Sequence, residues 1–211
     1  HYPLRRQRQM CIRDRHQGAQ LLVLGGGSNL LLTQNFEGLT IRIETRGIEI
    51  VQEYDRSVRV KVAAGENWHD FVLWCLENDL GGVENLALIP GSVGAAPIQN
   101  IGAYGVELRE VFESCEALSI KTGDIKIFNK LDCQFGYRNS IFKNALKGQY
   151  IITSVQFNLT KEPHQVNTSY GGLSEKLGAK SPDIQSVAQA VIEIRSAKLP
   201  GPGRFGHSGG F

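Results

Sequence analysis

Hydrophobic and polar positions along the chain change period several times between residues 21 and 198. In "SVRVKVAAG", Val58, Val60 and Val62 alternate with Arg59 and Lys61, which predicts a strand with one face in a core and the other toward water. "LLVL", "LTIRI" and "GIEIV" are shorter runs of the same kind. In "NWHDFVLWCLENDLGG" the spacing becomes helical. Trp68, Phe71, Val72 and Cys75 fall on one side, and Gly81-Gly82 stands where a stop is expected. "ALSIKTGDIKIFN" predicts a hairpin turning at Thr122-Gly123-Asp124, and "QYIITSVQFNL" a long strand. The last helix carries the fullest set of signals. Ser181 is its expected N-cap, Pro182 its first residue and Asp183 part of its first turn, while Ile184, Val187, Ala188, Val191 and Ile192 form an apolar stripe that ends before Pro200. Several strands with helices set between them predict an α+β fold.

One stretch has neither period. "GGVENLALIPGSVGAAPIQNIGAYGVE", residues 81 to 107, is rich in Gly, Ala, Ser and Pro and poor in charge. A flexible linker would be hydrophilic. Small apolar residues without regular structure point instead to backbone packed closely against something flat or bulky.

Composition narrows the classes. With 211 residues and 41% hydrophobic content the chain can bury a proper core. A net charge of +2, with both signs mixed, gives no basic stripe for nucleic acid. "HYPLRRQRQMCIRDR" holds five arginines in fifteen residues but no apolar run after them, so it is read as a disordered or foreign leader and not as a signal or anchor. Cys11, Cys75, Cys115 and Cys133 form no C-x-x-C pair, which argues for reduced thiols in a cytoplasmic protein. No run approaches the roughly 18 apolar residues of a membrane span. His69 and Glu66 lie three apart at a helix start, yet no third ligand is near in sequence, and no metal is expected.

The candidate chemistry lies in two glycine-bearing loops and one arginine. "LVLGGGSNLL" runs from an apolar strand into Gly25, Gly26, Gly27, Ser28 and Asn29. Unpaired amides at such a turn can point together at an anion, and glycine lets a phosphate approach. The dinucleotide fingerprint fits Gly25 and Gly27 but fails at Leu30, and a P-loop lysine is absent. A tight turn alone explains two glycines more readily than three followed by Ser-Asn. Pro90, Gly91, Ser92, Val93 and Gly94 offer a second set of amides plus a hydroxyl, and two such loops suit a pyrophosphate between them. In "FGYRNSIFK", Arg138 could hold a carboxylate or phosphate, or could form a surface ion pair.

In order and spacing, "GGGSNLL", "VAAGENWHDFV", "GVENLALIPGSVGAAPIQNIGAYGVEL", "FGYRNSIFK", "SYGGL" and "IRSAKLPGP" resemble the UDP-N-acetylenolpyruvoylglucosamine reductases, flavoenzymes of bacterial peptidoglycan precursor synthesis. The resemblance covers roughly residues 20 to 211. It implies an FAD-binding domain of the vanillyl-alcohol-oxidase type, with two subdomains around the cofactor. NADPH would be the hydride donor and UDP-N-acetylglucosamine enolpyruvate the acceptor. Gly25 to Asn29 would hold FAD together with Pro90, Gly91, Ser92, Gly94, Ala95, Asn100, Gly102 and Tyr104. Arg138 matches the arginine that stabilises negative charge on the substrate as hydride arrives. Tyr170 matches a tyrosine that covers the substrate, and Arg195 and Lys198 match positions near its diphosphate. Neither a His nor a Cys stands in 25 to 29 or 90 to 104 as a covalent flavin attachment point.

The resemblance also exposes departures. The family's pattern for its proton-donating serine falls on Gly206-His207-Ser208-Gly209-Gly210-Phe211, which puts Gly210 at the donor position, and the family continues into a substrate-binding domain with a catalytic glutamate near its end. The expected organisation is therefore a leader (1–19), a partial first FAD subdomain (20–65), a second FAD subdomain (66–200) and the start of a truncated substrate domain (201–211). Such a fragment is expected to be a cytoplasmic monomer that is inactive alone. The alternative is a non-catalytic remnant that binds flavin or sugar nucleotide.

Overall fold

The structure, a computed structural model, describes residues 18–178 and 181–198. The strands in chain order are β1 (Leu21–Leu24), β2 (Leu39–Arg42), β3 (Ile48–Glu53), β4 (Ser57–Ala63), β5 (Gly102–Ala103), β6 (Val106–Glu107), β7 (Phe112–Ser119), β8 (Ile125–Asn129) and β9 (Tyr150–Thr160). The helices are α1 (Trp68–Glu77), α2 (Gly171–Leu177) and α3 (Ile184–Lys198).

The alternation of β4 sets the main sheet. Val58, Val60 and Val62 are buried while Arg59 and Lys61 stay partly exposed, so one face enters the core. Opposite them on β9 stand Leu159, Phe157 and Val155, all buried. The five strands run antiparallel in the order β3-β4-β9-β7-β8. Around Phe157 the core is aromatic: its ring lies 5.9 Å from that of Trp68 and 4.8 Å from that of Phe71. Trp68 buries its indole without penalty because Nε1 donates to the Leu86 carbonyl at 2.9 Å. From α3, Val187, Ala188 and Val191 join the same core, which accounts for the stripe seen in the sequence. β7 and β8 turn through Gly123, at φ 80, as the Thr122-Gly123-Asp124 signal predicts.

Two expectations need correction. α1 ends at Glu77, four residues before Gly81. Its stop is Asp79 at φ 53: the Asp79 N–H donates to the Leu76 carbonyl and the Leu80 N–H to that of Cys75. This is a left-handed cap in which a short polar residue replaces glycine. Gly81 instead exchanges both backbone bonds with Thr160, and a side chain there would strike His164 and Thr160. At α3 the cap is Asp183 rather than Ser181. Asp183 Oδ1 accepts from the Ser186 N–H at 2.7 Å and Ser186 Oγ accepts from the Asp183 N–H at 2.9 Å, a reciprocal box. The main sheet draws strands from both sides of residue 65. β3 and β4 pair into the sheet of β7, β8 and β9, while β1 and β2 form a separate parallel pair and β5 and β6 a separate antiparallel one. Residues 43–47 link the β1–β2 pair to β3.

The stretch without periodicity folds as two 3₁₀ turns, Glu84–Leu86 and Val93–Gln99, followed by the small β5–β6 ladder. Val83, Leu86, Ala87, Val93, Ala96 and Ile101 are buried, so it is a packed inner layer.

Candidate functional site

β1 delivers Gly25, Gly26, Gly27, Ser28 and Asn29 to the turn beyond its end, and this turn lies against the loop that enters the second 3₁₀ turn. A methyl group on Gly26 would stand 3.2 Å from the Gly91 Cα, and one on Gly91 would stand 3.2 Å from Ser28 Oγ. One on Gly25 would collide with Ser92 Oγ. The two loops are brought together, as the sequence predicts, so closely that a side chain at 25, 26 or 91 would crowd the facing loop. Among the described residues, the backbone N–H groups of residues 25–29, 91 and 92 have no hydrogen-bond partner in the fold. Several free amides on two facing loops fit an anionic diphosphate.

Not every amide in the second loop is free. Val93 donates to the Glu66 carbonyl at 2.9 Å, Gly94 to that of Ala64 at 2.9 Å, and Ala95 to that of Ser92 at 3.0 Å. Gly94 is there for close packing, since a Cβ on it would lie 2.5 Å from the Ala64 Cβ. Pro90 has no N–H, so Gly91 and Ser92 carry the loop's donors. Behind them a groove of about 400 Å³ opens between the β1–β2 unit and the main sheet, lined by Leu22, Gly25, Ile43, Ser92, Ala95 and Ile98.

The chain from Val93 to Tyr104 leads from this groove to a second cavity of about 490 Å³, walled by Gly102, Ala103 and Tyr104. Arg138, Arg195 and Lys198 line it together with Tyr137 and Tyr170, and among the described residues no carboxylate does. Tyr104 and Tyr170 meet edge to face at 5.2 Å. Burial lowers the pKa of Arg195; the Tyr104 hydroxyl it reaches opposes this, and the Arg138 charge adds to the lowering. Burial likewise raises the pKa of Tyr104, against the pull of Arg195. Arg195 Nε is buried without a partner among the described residues. Such a concentration of positive charge in a concave, half-dry site asks for an anion.

Several residues that shape this cavity carried no signal in the sequence. Asn85, fully buried, donates from Nδ2 to the carbonyls of Tyr104 at 2.9 Å and Asn167 at 2.8 Å. Asn167 in turn donates to the Gly105 carbonyl at 3.1 Å. Together they fix Tyr104, which sits at φ 48, and the approach to Tyr170. Asn100 has no side-chain group left free for a ligand. Its side chain is buried and engaged at both ends, with Nδ2 donating to the Gly136 carbonyl and Oδ1 accepting from the Arg109 N–H, each at 3.0 Å.

His69 is half-buried and holds the loop that follows α1. Its Nδ1 accepts from the Leu88 N–H at 3.1 Å, and burial lowers its pKa below 6.5 against the opposing charge of Asp70. The N-cap of α1 is Asn67, whose Oδ1 accepts from the His69 and Asp70 N–H groups. Glu66 accepts from the Gly47 N–H at 2.6 Å. Among the described residues there is no group of three or more His, Cys, Asp or Glu fit for a metal ion, and no helix long and apolar enough to cross a membrane. The leader, Pro200 and the stretch from Gly206 to Phe211 lie outside the described residues.

Comparison with known proteins agrees with this geometry. UDP-N-acetylenolpyruvoylglucosamine reductase of Flavobacterium johnsoniae is 52% identical over 192 residues, covering 90% of this chain and 57% of the relative. That of Amoebophilus asiaticus is 52% identical over 193 residues, with the same shares. The chain thus spans somewhat more than half the length of these relatives. Among solved structures, UDP-N-acetylenolpyruvylglucosamine reductase from Thermus caldophilus shares the fold at a TM-score of 0.57 and 22% identity, covering 87% of this chain and 57% of that one. Residues 11–129, more than half of the chain, match the family described as FAD binding domain. With its paired glycine turns and the groove behind them, the chain belongs to that family of FAD-binding domains.

Proposed function

We propose that this chain is the cofactor-binding part of a UDP-N-acetylenolpyruvoylglucosamine reductase, which reduces UDP-N-acetylglucosamine enolpyruvate to UDP-N-acetylmuramate at the expense of NADPH. The observation that carries the reading is the pairing of two sites on one backbone segment: a groove with free amides at Gly25–Asn29 and Gly91–Ser92, and an all-cationic cavity at Arg138, Arg195 and Lys198. FAD, held by residues 25–29, by Gly91 and Ser92 and along the segment to Gly102 and Tyr104, supplies a hydride relay between NADPH and the enolpyruvyl double bond. Arg138 holds the substrate carboxylate. Its guanidinium also stabilises the negative charge that grows there as the double bond accepts hydride, so it lowers the barrier more than it strengthens ground-state binding. Arg195 and Lys198 take the substrate's diphosphate, and the half-exposed ring of Tyr170 covers the bound sugar nucleotide.

The test has two parts. The purified chain, mixed with FAD and passed over a desalting column, should keep the flavin's visible bands; a colourless protein would contradict the cofactor reading. The complete protein carrying these residues should oxidise NADPH only when the enolpyruvyl substrate is present. Oxidation indifferent to that substrate would contradict the reductase reading while leaving FAD binding intact.

A further inference from the structure

The turn that bears Arg138 is small and under strain. Gly136 and Asn139 exchange both backbone bonds, at 3.0 and 3.2 Å, which leaves Tyr137 and Arg138 as its two corner residues. Arg138 sits at φ 50, in the left-handed region, at a corner position where glycine is favoured. A two-residue corner with a long cation in this conformation needs external support.

Three groups supply it. Asn100 Nδ2 donates to the Gly136 carbonyl at 3.0 Å, Ser140 Oγ donates to the Ile98 carbonyl at 2.6 Å, and Lys143 Nζ donates to the Arg138 carbonyl at 3.1 Å. The first two tie the turn to one place, the end of the segment that leads from the FAD groove to the cationic cavity. Asn100 does most to define the tie. It is fully buried, at φ 45, and its Oδ1 is held by the Arg109 N–H. The position asks for a donor and an acceptor on a short side chain, in a left-handed backbone. Aspartate lacks the donor, glycine lacks both groups, and most other residues resist the backbone.

We propose that Asn100 is a positioning residue. It sets the place of the Arg138 guanidinium by pinning the Gly136–Asn139 turn to the cofactor-bearing segment. The inference rests on the reading above for what Arg138 does, but the tie itself can be tested without it.

Asn100→Gly keeps the left-handed backbone and removes only the amide. Asn100→Gly loses both side-chain bonds, to Gly136 and from Arg109; amide hydrogen exchange on the whole chain should show residues 136–139 exchanging about tenfold faster in this variant, with the β4 and β9 amides unchanged, as expected when the one buried bond that holds this turn through Gly136 is lost. Unaltered exchange at 136–139 would overturn the proposal. The second readout is calorimetric binding of UDP-N-acetylglucosamine enolpyruvate to the FAD-loaded complete protein carrying these residues, in a cycle with Arg138→Met. Asn100→Gly should weaken binding about tenfold when Arg138 is present and less than about twofold in the Arg138→Met background, because a residue that acts through another loses its effect with it. Equal losses in both backgrounds would overturn it. Should the unaltered complete protein not bind the substrate at all, the reductase reading fails and the exchange result alone decides the role of Asn100. If Asn100→Gly does not fold, Asn100→Asp keeps the acceptor for Arg109 and replaces the donor to Gly136 with a second acceptor, so its residues 136–139 should exchange at least about tenfold faster; unaltered exchange there would overturn the proposal equally.

Discussion

Arg138 and His69 show how far a single residue's role follows from its surroundings. Arg138 faces a cavity that it shares with two other cations and three tyrosine rings. Arg138→Met in the complete enzyme should lower kcat by about 10²–10³, the usual cost of removing one fixed donor to developing charge, while FAD affinity stays the same; steady-state kinetics and flavin titration check both halves. His69 offers a test by pH. Its folded-state pKa is lowered, so between the folded value and the unfolded value near 6.5 the unfolded chain binds more protons. The stability contributed by neutral His69 is therefore complete above about pH 6.5 and is lost as pH falls toward the lower folded value. Denaturation midpoints should decline over that acid window, and His69→Asn, which can still accept from the Leu88 N–H, should flatten the decline. The sequence made Arg138 legible because the motif around it is specific. It hid the bonding roles of His69, Asn85 and Asn100, because a hydrogen bond between residues far apart in the chain leaves no local pattern.

The elements were legible where one physical signal decided them. The alternation of β4 and the stripe of α3 are both burial patterns, and both were read with the correct face. The end of α1 was misplaced because Asp79 adopts a conformation for which Gly81-Gly82 looked the better candidate. The start of α3 was misplaced by two residues because Asp183 and Ser186 cap each other, a pairing visible only once the turn is formed. Asp183→Ala should cost about 1 kcal/mol, the usual worth of an N-cap, measurable by urea denaturation. The glycine loops divide by purpose. Gly94→Ala should destabilise the fold by about 1–3 kcal/mol, since its new methyl meets the Ala64 backbone. Gly26→Ala, exposed and facing only Gly91, should change stability by under about 0.5 kcal/mol and weaken FAD binding instead. The two variants together separate a packing glycine from a ligand-approach glycine.

At the scale of the molecule, the parallel pair β1–β2 and the five-stranded antiparallel sheet meet along a groove, and the packed segment from Val93 to Tyr104 carries that groove through to the cationic cavity. The two glycine turns and Arg138 stand out in the sequence, but the sheet to which β3 and β4 belong does not, since they read as a continuation of the strands before them and only pairing with β9 assigns them to the other sheet. The central claim is that one FAD diphosphate lies between the turn at Gly25–Asn29 and the amides of Gly91 and Ser92, with the flavin end of the molecule toward Arg138. A crystal structure of the chain grown with FAD tests it most directly. The account predicts diphosphate oxygens within hydrogen-bond distance of backbone amides from both turns; a diphosphate bound elsewhere on the molecule, or held by one turn alone, would contradict it.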